Sequence, residues 1–555
     1  MFLRKKRSGP RTYLQVVENR WEDGKSRQRV VATLGRWSAL TETGALQGIL
    51  RSGARMVEGV MLLEAVGRGE APTVSTRRIG PALVFERLWL ETGCRGVIEH
   101  LAGERRFAFA LERAIFLTVL HRLICSGSDR AAEKWRDDYL IDGVEGLDLH
   151  HLYRAMAWLG EELPESQQDG RTPFAPRCTK DRVEEGLFLQ TRDLFTELDL
   201  VFFDTTSIYF EGEGGESIGQ RGHSKDHRPD LKQMVVAVII DTAGRPICCE
   251  LWPGNTADMS TLVPVVDRLR KRFGVKRVCI VADRGLISKA TVENLEARGF
   301  EYILGARMRA QREVRDEVLS RAGRYREVVP SAVGSRSPSA LKVKEVRVEE
   351  RRYVVCLNED RAAKEKAERE AIVESLSRAL KRGAKSLVGN KGYRRYLASD
   401  GGAFTIDEAK VKREARFDGK WVLRTNTDLD ASEVALRYKQ LWMVEALFRD
   451  TKSVLETRPI FHKSDQAIRG HVFCSFLALL LRHELQTRLE ERDHTVEWAD
   501  VVRDLDALTE AEVIHDGKRF LLRSASRGVC GKAFQAAGVA LPPTVRDVTP
   551  ENATD

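Results

Sequence analysis

No Cys-x-x-Cys pair occurs among the nine cysteines of this 555-residue chain. A structural zinc site is therefore not expected. Cys279 and Cys474 lie in apolar runs, where a thiol acts as a small core residue, and the pattern fits a reducing compartment. Long apolar runs are missing as well. The longest, Val472 to Leu481, is about half of the roughly 20 residues needed to cross a bilayer, so it predicts a buried helix and no membrane partner. The basic start at Arg4 to Arg7 is not followed by an apolar segment, which predicts no signal peptide and a cytoplasmic protein. Nucleotide-binding glycine patterns are also absent. Gly24-Lys25-Ser26 ends like a phosphate loop, but the first glycine of that motif would fall at Asn19. Gly212-Glu213-Gly214 lacks the third glycine of a dinucleotide fingerprint.

The residues that are present describe a globular protein of two or more domains: 42% are hydrophobic and 31% charged, and the length exceeds one ordinary core. The net charge of +9 is concentrated at the start. Met1 to Arg36 holds ten basic residues, Lys5, Lys6 and Arg7 among them, against Glu18, Glu22 and Asp23. Such a field suits a polyanion, most often nucleic acid; a solvated basic tail is the bland alternative.

Along the chain, Tyr13 to Arg20 and Arg27 to Leu34 are β-prone runs around an Asp23-Gly24 turn, predicting a basic hairpin in a region 1–75 that contacts DNA. Residues 76–197 read as helical and DNA-binding, with Ser126 to Asp129 breaking one helix and capping the next. Plain helical packing is the alternative there. From Leu198 the order is strand, strand, strand, helix, strand: Leu200 to Phe203, Gln233 to Ile240, Pro246 to Trp252, Met259 to Phe273 and Arg277 to Ala282. That order is what the first part of an RNase H-like core, 198–300, requires. The pattern of 301–423 reads as an inserted domain. Residues 424–490 return to the core with long helices at Ser432 to Leu455 and Ala467 to Leu489, and 491–555 form a C-terminal region, loose past Pro542. The fold class is α/β: a mixed sheet flanked by helices and interrupted by an insertion.

Three acids stand out by position. Asp204 follows Val201-Phe202-Phe203, and Asp283 follows Val278 to Ala282. An acid just past an apolar strand is rigidly held yet reaches solvent, as a hard-cation ligand must. The third is Glu445. In one continuous helix, seven-residue steps put Tyr438, Glu445 and Lys452 on one stripe, with Leu441 and Phe448 seating it on the sheet. An acid in a partly apolar stripe is costly unless paired or metal-bound; a Glu445–Arg449 surface pair is the alternative.

With these blocks the chain resembles the DDE transposases of bacterial insertion sequences, in the branch whose third block reads Tyr-x2-Arg-x3-Glu-x6-Lys. Tyr438, Glu445 and Lys452 match that spacing; Leu441 stands where the family has arginine, and Arg449 is the residue that would supply charge instead. Asp204-Thr205-Thr206, Ala282-Asp283-Arg284-Gly285 and Gly254 to Asp258 are similar to the family's other blocks. The resemblance implies catalytic and metal-ligating roles for Asp204, Asp283 and Glu445. The cofactor would be two Mg2+ ions, with Mn2+ as a substitute. The chemistry would be cleavage at element ends and strand transfer by the freed 3′-OH, with two metals about 4 Å apart in an in-line displacement. Asp204 would bridge the ions, Lys452 would grip a phosphate and Tyr438 would position the strand. Partners would be double-stranded DNA, as element ends and target, and a second copy of the chain in a homodimer. The setting would be the bacterial nucleoid. Lys225, Arg228 and Lys232, in the basic stretch Gly222 to Gln233, are expected on DNA phosphate, a mobile surface loop being the alternative. His223 and His227 there are not expected to bind metal, and His462, His471 and His483 read as structural or DNA-facing. Two other functions stay open: an RNase H-like nuclease that cuts without joining, and a non-catalytic DNA-binding descendant, against which the intact acids argue.

Overall fold

The computed structural model describes residues 1–22, 25–49, 52–53, 61, 65–69, 73–172, 175–191, 200–222, 228–274, 278–286, 288–329, 340–381, 395–400, 403–453, 460–515 and 518–548. The Asp23-Gly24 turn and residues 223–227, with Lys225, His223 and His227, lie outside them. The chain divides into two compact units, one of Met1–Arg77, Thr509–Ala525 and Pro542–Asp555, the other of Arg78–Leu508 and Ser526–Leu541.

In the first unit the expected hairpin is present as β2 (Arg11–Glu22) and β3 (Lys25–Arg36), and it gains a strand, β1 (Phe2–Ser8). All three pair antiparallel, with Lys6 opposite Tyr13 and Arg4 opposite Gln15. Charged residues have little strand preference of their own, which hid β1 in the sequence; pairing along β2 is what makes it a strand. Lys5, Lys6 and Arg7 are exposed on it, the Lys5 ammonium 3.3 Å from the ring centre of Trp37 in helix α1 (Trp37–Glu42). A second sheet joins β4 (Thr73–Arg78) to strands at Thr509–His515, Lys518–Arg523 and Val545–Asp547. The stretch past Pro542, expected to be loose, is therefore ordered as far as Asp547. Arg523 donates to the Pro542 carbonyl at 2.6 Å and Arg546 to the Glu510 carboxylate at 2.6 Å, which pin it.

The second unit begins with helices that include α2 (Leu111–Ile124), α3 (Leu149–Leu159) and α4 (Thr179–Thr191). Ser128 caps the helix after α2 by accepting from Ala131 N, as its position predicted. A sheet follows, with β5 (Leu200–Tyr209), β6 (Gln233–Ile240) and β7 (Pro246–Pro253) as an antiparallel meander. Helix α5 (Asp258–Phe273) then leads to β8 (Cys279–Ala282), which lies parallel to β5, and β9 (Glu301–Gly305) lies parallel to β8. The core order β9-β8-β5-β6-β7 is the RNase H-like arrangement.

Residues alternate strictly between two cores across these strands. Phe202, Val236, Val238, Val281 and Ile303 face one; Phe203, Val235, Ala237, Ala282 and Leu304 face the other. Both faces are buried, so the strands read as continuous apolar runs rather than alternating ones. Helix α5 covers the second face through Leu262, Val265, Val266 and Leu269. Helices α6 (Ala431–Lys439), α7 (Trp442–Ser453) and α8 (Asp465–Glu490) cover the first. Helix α8 holds the Val472 to Leu481 run, fully buried, and among the described residues no helix is long and apolar enough to cross a membrane.

Most strands of the segment read as an insertion join the core sheet. Beyond β9, strands at Arg326–Val328, Leu341–Val348, Arg351–Leu357 and Lys420–Thr425 extend the same sheet to nine strands, Lys420–Thr425 pairing antiparallel with β9. The long charged helix Glu359–Lys381 and a hairpin of Leu397–Asp400 with Ala403–Ile406 share a small core of Leu376, Tyr396 and Leu397.

Helices α3 and α8 cross closely because α8 carries Gly470. A Cβ there would lie 1.9 Å from the Met156 carbonyl oxygen, a backbone atom that cannot swing aside. Gly470→Ala should force the helices apart and destabilise the protein by about 1–3 kcal/mol. A lower urea midpoint is the expected result, and an unchanged one would refute the close packing.

Candidate active site

The parallel register of β5 on β8 sets the first two acids side by side. Phe203 pairs with Ala282, so Asp204 and Asp283 are the next residues after a paired position on two neighbouring strands, which run about 4.8 Å apart in the hydrogen-bonding direction. Alternation then aims both at the face of Phe202 and Val281, which α6 and α7 cover. One expectation needs correction. β5 does not end at Asp204 but runs to Tyr209, because β6 stays paired with it as far as Gln233, while β8 stops at Ala282. Asp204 thus sits mid-strand, where its parallel neighbour ends. It is half-buried, and its Oδ1 accepts from Thr205 N at 2.7 Å.

The third block differs more. The predicted single helix is two, α6 and α7. At the junction, Leu441 N bonds to Tyr438 O and Val444 N to Leu441 O, three residues back rather than four. This tighter turn breaks the seven-residue stripe, so Tyr438 lies on α6 while Glu445 and Lys452 lie on α7. Leu441, Val444 and Phe448 are buried in the core beneath, and Glu445 and Arg449 are exposed.

Tyr438 reaches back to the second acid, its hydroxyl donating to Asp283 Oδ1 at 2.8 Å. Burial, with the Asp283 carboxylate adding to it, pushes this phenol well above its ordinary pKa, so it stays a donor. Gly305, at the end of β9, makes room: a Cβ there would lie 2.5 Å from the Tyr438 hydroxyl. Behind Asp283, Arg307 donates from Nε to the Arg284 carbonyl at 3.1 Å and from Nη2 to that of Gly285 at 3.4 Å.

Asp283 and Glu445 line one open cavity of about 510 Å³. Its other walls carry Arg284, Arg309, Arg361, Lys420 and Lys439, together with Trp421 and Trp442. Burial lowers the pKa of Lys420 and Lys439, Arg416 adding to the effect at Lys420. An anion in the cavity would stabilise both charges. Asp204 does not line the cavity, and among the described residues the three acids are not a group whose ligand atoms all lie within 4.8 Å of one another.

One group that does converge is Asp129, His462 and His471. His462 Nε2 lies 3.3 Å from Asp129 Oδ2 and 3.1 Å from His471 Nδ1. Arg122 Nη2, however, sits 3.4 Å from Asp129 Oδ1 and 3.0 Å from His471 Nδ1. A fixed cation, Arg122, thus already serves Asp129 and His471. Elsewhere, Arg228 pairs with Asp230 at 2.9 Å, and Lys232 bonds to Glu213 at 3.1 Å. Sequence reasoning missed Gly305, Arg307 and the cationic wall. A glycine closing the buried run Tyr302-Ile303-Leu304 was the available signal, since it marks a close approach.

A family model described as transposase DDE domain matches residues 196–481, and one for the IS1634 family transposase N-terminal domain matches residues 3–60. No curated protein matches. Among solved structures, the piggyBac transposase synaptic complex with hairpin DNA is similar at 12% identity, over 77% of this chain and 79% of that one, with a TM-score of 0.36. The Mos1 transposase paired-end complex with the left transposon end is similar at 16% identity, over 36% and 60%, with a TM-score of 0.15.

Proposed function

The chain belongs to the transposase DDE domain family and is a DNA transposase, and from that premise we propose that Asp204, Asp283 and Glu445 are its catalytic acids, holding two divalent cations for cleavage at element ends and 3′-OH transfer into target DNA. The register that makes Asp204 and Asp283 neighbours carries the reading, and the cavity shared by Asp283 and Glu445 supports it. Three carboxylates form a hard oxygen set suited to Mg2+, with Mn2+ as a substitute. Bound there, the cations would lower the pKa of an attacking water and offset charge on the phosphoryl oxygens.

The protein's own groups supply the rest. Tyr438 orients Asp283. Arg284, Arg309, Arg361, Lys420 and Lys439 give a strand's phosphates a cationic wall, and the half-exposed Trp442 offers a stacking face. Lys452 and Arg449 follow Glu445 on α7 and take the phosphate-gripping and charge-supplying roles. Joining two element ends requires two active sites, which a homodimer provides.

Lys5, Lys6, Arg7, Lys225, Arg228 and Lys232 contact DNA phosphates in this reading. Replacing Lys5, Lys6 and Arg7 together by alanine should weaken binding about equally on all sequences. It should also flatten the plot of log affinity against log salt by about 0.9 for each phosphate no longer neutralised. An unchanged slope in a salt titration would remove these residues from the interface.

The test of function uses labelled DNA ends taken from beside the gene, incubated with Mg2+ or Mn2+. Metal-dependent cutting and joining is the expected result. Cutting without joining would make the protein an RNase H-like nuclease, and binding without cutting a non-catalytic descendant.

A further inference from the structure

We propose that Tyr438 and Gly305 are positioning residues for Asp283, presenting its carboxylate to a divalent cation in advance of DNA. The inference rests on the assignment of Asp283 as a metal ligand. Carboxylates that bind metal turn about their last bond unless a partner fixes them, and such partners commonly decide affinity. Here the fixing partner is the Tyr438 hydroxyl, on Asp283 Oδ1 at 2.8 Å.

The hydroxyl reaches that place only across the end of β9. The position of a Cβ on Gly305 is 2.5 Å from the Tyr438 hydroxyl oxygen, 3.2 Å from its Cζ and 3.1 Å from the backbone nitrogen of Arg284. A side chain at residue 305 would therefore strike the tyrosine or the turn that carries Asp283. Arg307 steadies the same turn through the Arg284 and Gly285 carbonyls. Asp283 is thus held by its place directly after β8, by a hydroxyl from α6 and by a turn tied to Arg307, just beyond β9. None of these contacts needs DNA. A tyrosine serving only to touch the strand would have no reason to spend its hydroxyl on an acid, nor to need a glycine beneath it.

The experiment measures Mn2+ binding to the full chain by titration calorimetry without DNA, alongside Mn2+ dependence of cleavage and DNA affinity. It compares the wild type with Asp283→Asn, Tyr438→Phe, Gly305→Ala and the Tyr438→Phe/Gly305→Ala double variant. Tyr438→Phe and Gly305→Ala should each weaken Mn2+ binding about tenfold or more. The half-saturating Mn2+ for cleavage should rise in parallel, excess Mn2+ should restore the rate, and DNA affinity should be unmoved. The double variant should be no worse than Tyr438→Phe alone, because removing the hydroxyl removes the closest clash. If Gly305→Ala does not fold, Tyr438→Phe decides alone. Wild-type Mn2+ affinity in Tyr438→Phe, with weakened DNA binding, would overturn the inference and assign the hydroxyl to the strand. Wild-type Mn2+ binding in Asp283→Asn would overturn the metal assignment itself, and the inference with it.

Discussion

Asp283→Asn should keep DNA binding and lose strand cleavage by about a thousandfold or more, equivalent to roughly 4 kcal/mol of transition-state stabilisation. The substitution is nearly isosteric, and the amide oxygen can still accept from Tyr438, so the fold around β8 has no reason to change. What it removes is a carboxylate next to Asp204 in register and in the same cavity as Glu445. An amide is a much weaker ligand for a hard dication than a carboxylate. Binding by gel shift and cleavage on labelled ends, measured on one preparation, separate the two functions. Mg2+-dependent cutting at the wild-type rate would refute the acid's role.

The largest effect on stability should come from Arg272→Met, at a cost of about 3–5 kcal/mol. The Arg272 side chain is 1% exposed on α5, and its guanidinium donates to Glu184 at 2.6 Å and Glu185 at 2.8 Å, with Asp181 at 3.2 Å. Arg268, one turn earlier, reaches Asp181 at 2.8 Å, and Lys180 reaches it at 2.9 Å. Glu250 on β7 is also in the network. These groups lie where α4 packs on α5 and β7. Removing one cation strands two or three buried carboxylates, which costs more than the intact network ever contributed. Denaturant unfolding should show the destabilisation, and a change under about 1 kcal/mol would mean that water reaches the network.

The same network sets a pH dependence. Burial alone would raise the Asp181 carboxyl, but Arg268, Lys180 and Arg272 outweigh it and hold the group well below its ordinary value. A depressed acid contributes stability above its unfolded pKa and loses it as pH falls. Wild-type stability should therefore drop below about pH 4. Glu250 runs the other way: burial raises its carboxyl, so the penalty of charging it in the fold is relieved as pH falls towards the ordinary glutamate value, at higher pH than the Asp181 loss.

How much of this was legible depended on the range of the interactions involved. β6 and β8 announced themselves because buried strands need nothing but apolar side chains, and the meander, crossover and parallel strand followed from their order. Asp204 and Asp283 were legible because each directly follows such a run. β1 was hidden, since a strand of Arg4-Lys5-Lys6-Arg7 exists only by pairing. The break at Gln440-Leu441 was hidden too: an apolar stripe at helical spacing looks the same whether or not the backbone tightens within it. That strands of 301–423 extend the core sheet was not legible, because a β-prone segment does not say which edge it will join.

The sequence by itself therefore determined the RNase H-like order of elements, the identity of the three candidate acids and the basic start, all properties of short segments and their succession. Only the tertiary structure decided that Tyr438 holds Asp283 over Gly305, that Arg361 and Lys420 share a cavity with Glu445, and that α4 is tied to α5 by buried charge. These contacts join residues distant in the chain. A local pattern records what each residue must avoid or bury, but not which distant partner will satisfy it.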